Sequence, residues 1–225
     1  ALLSRAGVDI DLAPARFPHM TIREGRMGGV PIRINRVSFT GEMAFEIAIP
    51  AGYAAALWRR LLDLGGDLGV TPFGLEALDV LRVEKGYFHV GGDTDGMTTP
   101  DDVGFGAMVR NKTVDFRGKR SLAMPGLGGA GRLQLVGLCP TDDDTPLAVG
   151  SQLCARNAMP IASGEGLVTS SVWSPTLRGP VALGLLSGGR SRIGEEVIAW
   201  NNSAARPVRI CLAGRYDKAG TVLNG

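Results

Sequence analysis

The chain has 225 residues, 44% of them hydrophobic, enough to bury a sizeable core as one large domain or two small ones. Lys and Arg number 24 against 22 Asp and Glu, leaving +2 with both signs scattered, and no basic run tracks a phosphate backbone, which argues against nucleic acid as a partner. No stretch reaches the roughly 18 uninterrupted apolar residues of a membrane span, and ALLSRAGVDIDLAPARFPHM at the start lacks a basic segment followed by an apolar one. The composition reads as a cytoplasmic globule with no membrane partner.

The opening residues resemble the end of a helix followed by a connection, with no initiator Met, so the chain is expected to be a piece of a longer polypeptide. In VPIRINRVSFTGEMAFEIAIP, alternation at Val30, Ile32, Ile34 and at Phe45, Ile47, Ile49 predicts two strands, joined by a tight connection at Thr40 and Gly41. Pro50 and Gly52 punctuate. YAAALWRRLLDLG then puts Tyr53, Leu57, Leu61 and Leu64 on one helical face. A second helix is predicted over Phe73 to Lys85, with Thr71 as N-cap, Pro72 at the first position and Gly86 as its stop. A short run, YFHV, leads into the acidic stretch VGGDTDGMTTPDD.

From Asp115 the texture changes. A Gly-rich bridge gives way to RLQLVGLC, GLVTSSVW, VALGLL, EEVIAW and PVRICLAG, short apolar runs spaced by Gly, Pro, Asn or Ser as in an all-β sandwich or barrel. The expected organisation is an α+β part over residues 1–124 and a β-rich part over 125–225, with the boundary near Pro125 to Gly131.

Most motifs fail on context. GLGGAG fits G-x-G-x-x-G, but a strand-like segment follows where a dinucleotide site needs a helix N-terminus for the pyrophosphate. DFRGKRS lacks the upstream glycine of a P-loop. Counted from Asp93, an EF-hand wants glycine sixth and glutamate twelfth, where Thr98 and Gly104 stand, so calcium is rejected. Asp93, Asp95, Asp101 and Asp102 could converge on a metal, but Gly and Asp are also what turns are made of, and no metal is expected. His19 and His89 are the only histidines, and no serine or cysteine sits in a nucleophile elbow, so no catalytic residue is assigned. Cys139, Cys154 and Cys211 lack a C-x-x-C pair and read as small buried hydrophobes.

Two charged positions stand out. In AFEIAI, Phe45, Ile47 and Ile49 take one strand face, turning Glu46 to the other beside Ala44 and Ala48, whose small side chains leave room for a ligand. In the second helix, Arg82 falls between Leu75 and Leu78 on the apolar arc, one turn from Asp79. A buried guanidinium needs a partner. Two readings stand open: an internal ion pair with Asp79 or Glu46, or a contact to ligand.

Taken together, RVSFTGEMAFEIAIP, GLEALDVLRVEKGYFHVGGDTDGMTTPDDVGFG, DFRGKRSL and GLVTSSVWSPTLRGPVALGLL resemble, in order and over nearly the whole chain, the folate-binding aminomethyltransferase family known from the glycine cleavage T-protein. Within that family, DVLRVEKG, GGDTDGMTTPDD and the final YDKAGTVLNG are most similar to the C-terminal part of sarcosine oxidase alpha subunits. The resemblance implies the later portion of a T-protein-like folate-binding fold followed by a C-terminal β-barrel. It implies tetrahydrofolate as cofactor, other sarcosine oxidase subunits as partners, and flavin and NAD elsewhere in the full complex. The reaction implied is capture of an imine, formed by oxidation of an N-methyl amine, as 5,10-methylenetetrahydrofolate. An aminomethyltransferase or demethylase, and a non-catalytic folate-binding module, are the alternatives.

By the family's T-G-E turn, the resemblance places Glu42 and Glu46 at the folate site, with Glu46 facing the pterin. An ionised carboxylate is an acceptor that takes two adjacent N–H donors at once. Phe39 stands at the family's aromatic position, where it packs against the ring or into the core. The family's pocket arginine falls at Leu78 and its tryptophan at Ala107, so neither contact is inherited. Arg82 and Phe105 are the candidates to replace them. The family's catalytic aspartate belongs to a segment preceding residue 1. The acidic loop is read as a structural turn beside the folate cavity, with Asp93 and Asp95 capping backbone N–H groups.

Overall fold

The structure, a computed structural model, describes residues 1–129, 131–156, 164–201 and 204–225. The chain divides into two units, Ala1–Leu78 with Asp217–Gly225, and Asp79–Tyr216. This division differs from the change of texture near residue 125.

The first unit holds helix α1 (Leu2–Arg5), strands β1 (Thr21–Met27), β2 (Val30–Arg36) and β3 (Glu46–Ala48), helix α2 (Ala54–Gly65) and a C-terminal turn of helix, which we call α5 (Thr221–Asn224). The strands form an antiparallel sheet in the order β1-β2-β3. The tight hairpin is at Gly28 and Gly29, whose φ values of 57° and 84° are those a two-residue turn between twisted strands requires. The expected tight connection at Thr40 and Gly41 is instead part of a longer segment from the end of β2 to the start of β3. β1 had no clear sequence signal: it is an edge strand on which Met27 is the one fully buried residue. Phe17, Met27, Ile32 and Ile34 centre the core, and Phe45, Ile47, Ile49, Leu57, Leu61 and Leu64 pack against it. The helical face read from α2 thus faces the sheet, except that Tyr53 precedes the helix and is exposed.

Helix α3 (Leu75–Lys85) begins two residues later than expected. Thr71 does not act as its cap, because its hydroxyl donates backward to the Gly69 carbonyl. Gly86 ends α3 with φ 79°. YFHV forms no strand, and the acidic stretch is a run of turns leading to α4 (Gly106–Arg110).

In the second unit, β4 (Leu133–Pro140), β5 (Gln152–Ala155), β6 (Gly164–Ser174), β7 (Gly179–Ser187), β8 (Glu196–Asn201) and β9 (Ala204–Cys211) close an antiparallel barrel in the order β4-β7-β6-β5-β8-β9, with β4 pairing back to β9. All five predicted runs are strands. β5 is an addition to them, since QLCA is too short to show a period. Val136, Leu138, Leu153, Val168, Val197, Val208 and Ile210 belong to the barrel's interior cluster. A second cluster, Leu135, Val181, Leu183 and Leu185, lies on the alternate face of β4 and β7 and is covered by Val83 of α3 and by Phe88. In the Gly-rich bridge, Ala130 of GLGGAG lies outside the described residues.

Candidate functional site

β3 places Glu46 as its alternation demands. Ile47 packs inward, while Glu46 and Ala48 are exposed on the opposite face. The register sets Glu46 opposite Asn35 and Ala48 opposite Arg33. The first unit therefore presents the carboxylate on an open face, with the small Ala48 next to it on the strand. A groove of about 680 Å³ opens beside Ala48, lined by Glu24, Pro31, Arg33 and Ile49 among others. Asn35 adds an unusual feature: its side-chain oxygen is buried and has no hydrogen-bond partner among the described residues. An acceptor in that condition costs about 1–3 kcal/mol if nothing satisfies it.

The segment leading to β3 is shaped by its hydroxyls. Ser38 Oγ accepts from the Gly41 amide at 2.9 Å, and Thr40 Oγ1 accepts from the Glu42 amide at 3.4 Å. Gly41 is buried at φ 83°, a conformation that favours glycine. Glu42 is half-buried at the end of this turn, and Phe39 is exposed on it, so Phe39 is not a core residue. Phe45 beneath is packed in the core, with its ring centroid 5.9 Å from that of Phe17, and the guanidinium carbon of Arg36 lies 5.4 Å above it. Arg36 is 1% exposed and donates to the carbonyls of Phe17, Leu223 and Asn224, which fastens α5 to the sheet.

In the second unit Arg82 is the hub of a buried polar cluster. Its Nε meets Asp79 at 2.6 Å, its Nη1 meets Asp93 at 2.5 Å and the Tyr87 carbonyl, and its Nη2 meets Ser170 Oγ at 2.7 Å. Of the two open readings of Arg82, the internal ion pair with Asp79 is present. Asp93 is wholly buried and accepts from Ser170, from Thr169 and from the His89 amide. Burial pushes the Asp93 carboxyl up, but the Ser170, Thr169 and His89 hydrogen bonds and the charge of Arg82 together hold it below the usual carboxylate value. Asp95 accepts from the Met97 amide and the Thr98 hydroxyl. Asp101 pairs with Arg110 at 2.8 Å, and Asp102 pairs with Arg132 and accepts from Thr99. Each aspartate of the acidic stretch is thus drawn to its own partner. Among the described residues no group of three or more His, Cys, Asp or Glu could hold a metal ion. Sequence spacing pointed to Asp79 beside Arg82 but could not reveal Asp93 or Ser170, which the fold brings from 11 and 88 residues away.

Phe105 is 45% exposed and its ring packs tilted on Phe88 at 5.7 Å. Beyond it, DFRGKRSL folds around a cavity of about 380 Å³ lined by Val109, Phe116, Leu122, Arg110, Lys112 and Lys119 among others. Its cations are already engaged: Arg110 by Asp101, Lys112 over the Phe116 ring, and Lys119 near Asp115.

Comparison with known proteins agrees with this architecture. Residues 1–113 match the family model for the GCVT N-terminal domain, and residues 134–217 match that for the glycine cleavage T-protein C-terminal barrel domain. The chain belongs to the glycine cleavage T-protein family, with a T-protein-like α+β fold followed by a C-terminal β-barrel. Its relatives include sarcosine oxidase alpha subunits and aminomethyltransferases. It is 40% identical over 209 residues to a sarcosine oxidase subunit alpha of Rhizobium meliloti, covering 91% of this chain and 21% of the relative. It is 33% identical over 191 residues to an aminomethyltransferase of Halothermothrix orenii, covering 84% of this chain and 50% of the relative. A crystal structure of glycine cleavage system aminomethyltransferase T from Bartonella henselae superposes with a TM-score of 0.67 at 31% identity, covering 80% of this chain and 48% of that one. The chain thus spans about a fifth of its sarcosine oxidase relatives and about half of the aminomethyltransferases. Among the described residues no helix is long and apolar enough to cross a membrane.

Proposed function

We propose that this chain is the tetrahydrofolate-holding, one-carbon-accepting portion of a sarcosine oxidase alpha subunit, acting in the cytoplasm with the other subunits of that enzyme. The observation that carries this reading is Glu46, whose strand register sets it on the face away from the core, opposite Asn35, whose buried side-chain oxygen lacks a partner among the described residues. A carboxylate on an open strand face suits the N–H edge of a pterin, since an ionised carboxylate takes two such donors at once. Phe39, exposed on the turn that precedes β3, is the aromatic side chain we assign to pack against the ring, and Glu42 stands at the end of that turn. Bound tetrahydrofolate would supply a nucleophilic nitrogen for the one-carbon unit. The protein's part is to fix that nitrogen in position, a contribution of orientation rather than of proton transfer. The closer identity to sarcosine oxidase alpha subunits than to aminomethyltransferases favours this reading over aminomethyl transfer.

Calorimetric titration with 5-formyltetrahydrofolate, of this chain and of the full-length subunit containing it, tests the proposal. Saturable binding that Glu46→Gln weakens supports it. Equal affinity in the Gln variant together with lowered stability would assign Glu46 a structural role and overturn it.

A further inference from the structure

Cys139 on β4 and Cys211 on β9 are half-buried and face outward from the barrel, since their neighbours Leu138 and Ile210 fill its interior. The register sets Cys211 opposite Gly137 and Cys139 opposite Arg209, which makes the two cysteines diagonal neighbours across the seam that closes the barrel. Gly137 permits the arrangement. A Cβ there would lie 2.9 Å from Cys211 Sγ and 2.4 Å from the Leu212 carbonyl oxygen. With no side chain opposite it, the Cys211 Sγ lies beside Gly137 on the face that carries Cys139, placed to hydrogen-bond to that thiol. That hydrogen bond is the main cause pulling the Cys139 thiol down to about 7; burial opposes it, and the charges of Arg215 and Arg209 assist. Cys154 is the opposite case: it is 1% exposed, and burial pushes its thiol up. Only Cys154 fits the expectation of a small buried hydrophobe.

We propose that Cys139 and Cys211 form an oxidisable dithiol, in which Cys139 is oxidised by hydrogen peroxide and Cys211 resolves the product to a disulfide across the barrel seam. This site is independent of the folate reading. In the first step the Cys139 thiolate attacks a peroxide oxygen. An S–O bond forms, the O–O bond breaks, and the departing hydroxide takes a proton and leaves as water. In the second, the Cys211 thiolate attacks the sulfenic sulfur; the S–S bond forms, the S–O bond breaks, and hydroxide again leaves as water with a proton. Two thiols and one peroxide thus give one disulfide and two waters, with both sulfurs oxidised and the peroxide reduced. Diagonal cross-strand positions lie about 7–8 Å apart, beyond the roughly 4.4–6.8 Å between Cα atoms that a disulfide usually spans, so the backbone at the seam must move as the bond forms.

The purified chain is treated with hydrogen peroxide near neutral pH, and intact mass, free thiols and unreduced peptide maps are recorded. The expected result is a loss of about 2 Da, a fall from three free thiols to one, a peptide joining Cys139 to Cys211, and a higher melting temperature that dithiothreitol reverses. Cys211→Ser should leave oxygen adducts on Cys139 and no disulfide. Cys139→Ser should slow oxidation at Cys211 by about tenfold or more. The proposal is overturned if Cys139 stays reduced while Cys154 reacts, if Cys139 ends as a sulfinate beside a free Cys211 thiol, or if the product is a dimer joined through Cys139.

Discussion

Arg82 and Asp93 form an ion pair in which the arginine side chain is 5% exposed and the aspartate 0%. Eleven residues apart, they tie the last turn of α3 to the start of the acidic loop, and Ser170 on β6 joins both. Breaking one side of such a pair strands the other charge in a poorly solvated place. Arg82→Ala and Asp93→Ala are each expected to lower unfolding free energy by about 3–5 kcal/mol. The double variant should cost clearly less than the sum, because each single change already removes the pair. Urea denaturation of the four proteins measures this, and additive losses would show that the two side chains are not coupled.

The same pair sets the response to acid. The folded-state carboxyl of Asp93 lies below its unfolded value near 3.8, so its stabilisation is complete above that value and disappears as pH falls through the folded one. Asp102 is shifted the same way: burial opposes, while hydrogen bonds from Arg132 and Thr99 prevail, with Arg132 charge adding to them. Urea midpoints should therefore drop steeply below about pH 4. Asp93→Asn, which cannot titrate, should flatten that drop while lowering the midpoint at neutral pH. An acid limb of unchanged slope in the Asn variant would assign the sensitivity elsewhere.

Glu46 is exposed, so its replacement should be nearly silent for folding and costly for ligand. Glu46→Gln keeps the shape but loses the charge and one of two acceptors. Affinity for 5-formyltetrahydrofolate is expected to fall about 10- to 100-fold, the equivalent of roughly 1.5–3 kcal/mol for hydrogen bonds to a charged group. The urea midpoint should shift by no more than the equivalent of about 0.5 kcal/mol. Asn35→Leu tests the neighbouring acceptor separately: weaker folate binding with an unchanged or higher melting temperature is the expected pattern.

Gly86 and Gly214 cross at backbone contact. A Cβ on Gly86 would sit 2.1 Å from the Gly214 nitrogen, and one on Gly214 would sit 2.3 Å from the Lys85 carbonyl oxygen. Both glycines also have positive φ, 79° and 77°. Gly86→Ala is expected to cost more than about 3 kcal/mol, since backbone has nowhere to move. Gly28→Ala makes the comparison: φ is 57° but nothing lies within 4 Å of the added carbon, so only the conformational cost of about 1–2 kcal/mol applies. Similar losses in both variants, measured by denaturant unfolding, would refute the role of close approach.

Local periodicity made much of the architecture legible. The barrel strands β4, β6, β7, β8 and β9 announce themselves because their buried faces need apolar residues at regular intervals. Edge strand β1 and four-residue β5 do not, for want of a buried face and of length. Thr71-Pro72 has the composition of a helix cap, but the Thr71 hydroxyl bonds back to Gly69 and α3 starts at Leu75. Glu46 could be assigned to a face from its neighbours alone, as strand alternation allows. Of the Arg82 cluster only Asp79 could be, by its spacing; Asp93 and Ser170, like the Cys139–Cys211 contact, are brought in by the tertiary fold.

The order β4-β7-β6-β5-β8-β9 gives the first barrel strand the last one as its second neighbour. During synthesis on the ribosome, β4 must wait with a bare edge until residues 204–211 emerge. The other unit waits as well, since Arg36 finds the carbonyls of Leu223 and Asn224 only when those residues have been added. Nascent chains halted before residue 204 therefore lack a partner for each, and they should be recognised by chaperones or proteases as unfinished.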